Sequence, residues 1–142
     1  MAPRQVLAFQ IGCWTAFVTA ALHLAGHVAG MQPVTPDEVR VIAAASEAVL
    51  ALPGATRSIL DLFDGFSLTF TLFLAFWGGL GLMILRRGRD DADLMYAVAR
   101  TMAGAGVVLL VISLSYWFLI PSLCAAMIAV SFGVASVRAP AA

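Results

Sequence analysis

Four long apolar stretches dominate the chain, at about residues 6–29, 59–85, 94–118 and 119–138. A helix needs roughly 20 mostly apolar residues to cross a hydrocarbon core of about 30 Å. Each stretch meets that length, so the expected fold is all-α, a bundle of four transmembrane helices. Charge agrees: 11% of the 142 residues are charged and 62% are hydrophobic, whereas a soluble domain carries about 25% charged residues. The size suits a single membrane domain covering 1–142. Net charge is zero, all basic residues are arginine, and they are scattered. That excludes a nucleic-acid surface and leaves the lipid bilayer as the first partner.

The connections set the topology. "RRGRDDAD" (86–93) is a charged turn between the second and third spans, and Pro121 opens the fourth span in its first turn. The third and fourth spans therefore form an antiparallel hairpin. Arg4, Arg86, Arg87, Arg89, Arg100 and Arg138 fall on one side, against Arg40 and Arg57 on the other. The positive-inside rule then puts both termini in the cytoplasm and residues 30–58 outside. Thr15, Thr19 and His23 interrupt the first apolar run, which is longer than a signal core, so it is expected to be retained. Cys13 and Cys124 lie at depths differing by more than a disulfide's reach of about 7 Å and should stay unpaired.

The one long connection contains a further helix, expected over about 36–51. Thr35 is its N-cap, Pro36 its first position and Glu38 the capping-box partner, with Pro53-Gly54 as its terminator. Val39, Ile42, Ala43, Val49 and Leu50 recur at helical spacing, giving an amphipathic helix suited to the outer membrane surface. Ser58 with Asp61 reads as a second, weaker cap.

Both histidines lie on the first span, four residues apart in "HLAGHVAGM" (23–31). At 100° per residue they continue a seam of Gly12, Ala16, Thr19, Ala20 and Gly30. Small residues let membrane helices approach closely, so His23 and His27 should face protein. The second span opens "RSILDLFDGFSLTF" (57–70), with Arg57, Asp61 and Asp64 on one face continued by Leu68, Leu72 and Ala75. Axial spacing puts His23 at the depth of Asp64 and His27 at that of Asp61. Tyr116 lies at a compatible depth, and Glu47 does too if its helix folds back.

This cluster has two readings. His23, His27, Asp61 and Asp64 offer ligands for a divalent transition metal, and a His–Asp pair can move protons near neutral pH. Alternatively the groups form a hydrogen-bonded network that only joins two spans. Gly78, Gly79, Gly81 and the "AGAG" at 103–106 are close-packing positions inside spans, not phosphate loops.

The stretches "GHVAGM", the Pro-Asp-Glu after Thr35 and "RSILDLFDGFSLTF" together resemble a family of small uncharacterised bacterial membrane proteins. Its members have four spans, a Gly-His…Gly-Met motif ending span one and an Arg-Ser…Asp…Gly-Phe-Ser motif opening span two. The resemblance implies a bacterial inner membrane and marks His27, Arg57, Ser58, Asp61, Gly65, Phe66 and Ser67. It implies no reaction.

Three functions follow. The chain is expected to be a structural or assembly component, self-associating through seams such as Ala97/Thr101/Ala105. The alternative is a small-molecule, lipid or metal-binding protein, including an enzyme built on the His/Asp cluster. Transport by one subunit has less support, since the inner half of the bundle offers only Arg100 as an ionisable group.

Overall fold

A computed structural model describes residues 1–30 and 32–138; Met31, the last residue of the Gly-His motif, lies outside them. The elements are α1 (Pro3–Gly30), α2 (Pro36–Glu47), β1 (Val49–Leu52), β2 (Ala55–Ser58), α3 (Ile59–Gly88), α4 (Ala92–Tyr116) and α5 (Leu119–Ser136). Helices α1, α3, α4 and α5 are each long and apolar enough to cross a membrane. Large apolar side chains along them, such as Trp14, Leu72, Phe76 and Leu114, stand exposed, as helices bathed in lipid require. The chain is a multi-span membrane protein.

The residues group into two compact units. The first comprises Met1–Thr19 and the chain from Leu74 onward. Its core takes Phe9, Cys13 and Ala16 from α1, Leu85 from α3, Met95, Ala99 and Met102 from α4, and Ile128, Phe132 and Ala135 from α5. Phe132 meets Phe9 edge-on at 5.2 Å and stacks on Trp77 at 6.2 Å. Backbones approach closely at two glycines. A Cβ on Gly78 would lie 2.7 Å from the Cys13 carbonyl oxygen, and one on Gly106 would lie 2.9 Å from the Ala129 Cα. Of the glycines expected at close contacts, Gly78, Gly79, Gly81 and Gly106 are at contacts, whereas Gly104 faces open space. Cys13 is buried, and both it and Cys124 are free thiols.

At one end of this unit the start of α1, the start of α4 and the residues after α5 are tied together. The Gln5 side-chain amide donates to the Val137 carbonyl, and the Tyr96 hydroxyl donates to Gln5 Oε1 at 3.1 Å. Arg138 pairs with Asp93 and lies over the Tyr96 ring. Asp91 caps α4 by accepting from the Leu94 amide at 2.9 Å. Helices α4 and α5 form the expected antiparallel hairpin, pinned by a buried Ser113–Ser122 hydroxyl contact of 3.0 Å. Pro121 sits in the first turn of α5.

The second unit, Ala20–Phe73, holds the end of α1, all of α2, the two strands and the start of α3. Helix α2 begins as expected. Thr35 accepts from the Glu38 amide, and Glu38 accepts from the Thr35 and Val34 amides. None of its residues is buried.

Its end differs from expectation. The helix was expected to reach residue 51 but stops at Glu47, and Val49–Leu52 pairs antiparallel with Ala55–Ser58. Pro53-Gly54 is the hairpin turn instead of a helix terminator, with Gly54 at φ +81°. A type II turn requires a positive φ at its second central position and favours proline at the first, as Pro53-Gly54 provides. Strand pairing also satisfies backbone groups of both segments. The ladder extends to the Ile59 amide, which donates to the Ala48 carbonyl at 2.9 Å and leads the chain into α3.

Candidate functional site

The polar residues of the second unit sort into two groups on different faces of α3. On the first face, residues spaced one, four and seven apart meet the histidines of α1: Phe63, Asp64, Ser67 and Phe70. His27 Nε2 lies 3.7 Å from Asp64 Oδ1. That is ion-pair range but longer than a hydrogen bond. The His27 side chain is 6% exposed and that of Asp64 is 27% exposed. Asp64 Oδ1 itself is buried and has no hydrogen-bond donor. His23 lies a turn deeper, edge-on to Phe70 at 4.9 Å and within reach of the Ser67 backbone carbonyl. Phe63 flanks His27 at 6.1 Å. The histidines thus face protein, as the small-residue seam implied, in a phenylalanine-walled setting.

Comparison with protein-family models, curated proteins and solved structures gives no match. The site is therefore interpreted from its own chemistry.

The pairing register is one turn away from the expected one. His27, not His23, stands opposite Asp64. The expectation counted helical rise from Arg57, but Arg57 belongs to β2 and α3 starts only at Ile59. Counted from the observed ends, Asp64 is about 7.5 Å inside α3, midway between His27 at about 4.5 Å and His23 at about 10.5 Å inside α1. Helical rise alone therefore does not choose between them, and the packing of α1 on α3 selects His27. The continuation of the face is corrected too. Leu68 and Leu72 are exposed, while Ser67 and Leu74 are buried.

Asp61 belongs to the second group. Its Oδ2 accepts from the Ser58 amide at 2.9 Å, and its own amide donates to Ser58 Oγ at 3.0 Å. This reciprocal capping box starts α3, so the second cap read from sequence is present. Arg57 donates to the Thr56 carbonyl at 2.9 Å and acts on the Asp61 carboxylate through space. Among the described residues the ion pairs are His27–Asp64, Asp37–Arg40 and Asp93–Arg138, so Arg57 and Asp61 are near but not bonded. Glu47 is exposed at the end of α2, and Tyr116 is exposed at the end of α4 in the other unit.

Among the described residues, no three His, Cys, Asp or Glu side chains converge on a point where an ion could bind. His27 and Asp64 provide two ligands, whereas catalytic zinc uses three protein ligands. Phe63 and Phe70 escaped the sequence reading, and Ser67 was marked only through the resemblance. Their spacing around Asp64 in "FDGFSLTF" is the signal that could have found them.

Proposed function

We propose that this protein is a structural or assembly component of a bacterial inner membrane, in which His27 and Asp64 lock spans one and two together at the extracytoplasmic end. The half-buried His27–Asp64 contact carries this reading. In lipid a polar side chain is stable only against another polar group, and here the two partners sit on different spans. Asp61 and Arg57 serve the start of α3, which leaves a pair and not a multi-ligand centre. The arginine distribution supports cytoplasmic termini, and the Gly-His and Arg-Ser motifs support membership of the small four-span family they resemble. Ala97, Thr101 and Ala105 stay exposed on α4, a seam suited to a second copy or a partner helix.

Paired substitutions test the lock. His27→Leu or Asp64→Leu alone should lower stability in detergent by about 1–3 kcal/mol, because each replaces the polar group that faces the other at 3.7 Å by an apolar one. The double variant should recover part of that loss. Strict additivity would remove the lock. A small molecule lost from both single variants while their melting temperatures hold would favour the ligand-binding alternative.

A further inference from the structure

We propose that the outward face of α3 seats a phospholipid with a primary-amine headgroup, such as phosphatidylethanolamine. An open groove of about 550 Å³ is lined by Arg57, Asp61, Leu62, Gly65, Phe66 and Thr69. These residues occupy a different face of α3 from Asp64, Ser67 and Phe70, so the proposal does not depend on the His27–Asp64 lock.

Charge and depth select the occupant. Both charged groups lie at the mouth, with Arg57 just before α3 and Asp61 in its first turn. From Asp61 to Thr69 the groove runs about 12 Å along the helix, from headgroup level into the acyl region. Its floor is apolar: Phe66 is 75% exposed, and Gly65 leaves the wall open, with nothing within 4 Å of a Cβ built there.

Arg57 spends one of its guanidinium donors on Thr56 and keeps the others for a phosphate. Asp61 uses Oδ2 for the helix cap, and its other oxygen can accept from an ammonium. A phosphate and an ammonium on adjacent carbons match that cation and anion. A quaternary ammonium cannot donate to Asp61, and a glycerol headgroup brings no cation. Each therefore satisfies only part of the site.

Native mass spectrometry of the detergent-purified chain tests this, with phosphatidylethanolamine, phosphatidylcholine and phosphatidylglycerol of identical acyl chains. The amine lipid should be retained about tenfold over the other two, the scale of one charge-assisted hydrogen bond. Gly65→Leu, whose Cβ meets nothing within 4 Å, puts side-chain volume into the groove and should abolish retention. Asp61→Asn, which keeps the cap acceptor, should erase the preference over phosphatidylcholine, and Arg57→Gln should weaken all three. Equal retention of the three lipids, or retention unaffected by Gly65→Leu, overturns the proposal. So does a Gly65→Leu effect confined to oligomer mass, which would assign the groove to a second copy. Soluble phosphoethanolamine competing as well as the whole lipid would overturn the acyl half.

Discussion

At the level of single residues, the same amino acid does opposite work at different places along α3. Gly78 is required because a methyl group there would press on a backbone oxygen of α1, which cannot swing aside as a side chain can. Gly65 faces open space. Gly78→Ala should therefore lower the detergent melting temperature, by an amount typical of overpacking, about 1–3 kcal/mol. Gly65→Ala should be neutral or stabilising by up to about 1 kcal/mol, the helix-propensity gain. Thermal unfolding of the two variants side by side checks this, and similar losses in both would contradict the close approach. Sequence alone marked "AGAG" at 103–106 as a packing site but could not separate Gly106, under contact, from Gly104, under none, since that depends on the neighbouring helix. The histidines show the same limit. Their direction was legible from the 100° periodicity, whereas their partner depended on how α1 and α3 are set against each other.

Among elements, α2 and the hairpin after it show which local signals survive folding. The capping box of Thr35 and Glu38 was legible because its chemistry lies within four residues. Pro53-Gly54 was legible as a break but not as a turn, because the same dipeptide ends helices and closes hairpins. What decided was the pairing of Val49–Leu52 with Ala55–Ser58, a non-local fact. The cap also carries a pH signature. Hydrogen bonds from the Val34 amide, then the Thr35 amide, hold the Glu38 carboxyl below its usual range, helped by the Thr35 hydroxyl. A carboxyl lowered by folding stabilises the helix above its unfolded pKa, and that support disappears as pH falls through the folded value. The start of α2 should therefore stay ordered at neutral pH and fray only below the ordinary glutamate range. Amide shifts of Val34 and Thr35, followed by NMR during acid titration, measure this. Glu38→Gln should remove the transition, and a midpoint at or above the ordinary range would contradict the hydrogen bonds.

For the molecule as a whole, the four spans were legible because lipid imposes a single requirement on every span, length and apolarity. All four helices end within three residues of the expected limits. A polar site has no comparable rule. Asp61 and Asp64 are both acidic and three residues apart, yet one starts a helix and the other meets a histidine.

Where Gln5 holds Val137, the first turn of α1 and the residue after α5 are close enough to be spliced by a short flexible linker, and the Gly88–Asp91 bend offers a place to cut. A rearranged gene that starts at Asp91 and finishes at Gly88 would leave every span whole. Because backbone order contributes little when tertiary contacts survive, this circular permutant should insert and melt close to the parent. A permutant that fails to insert would mean that α1 must be made first.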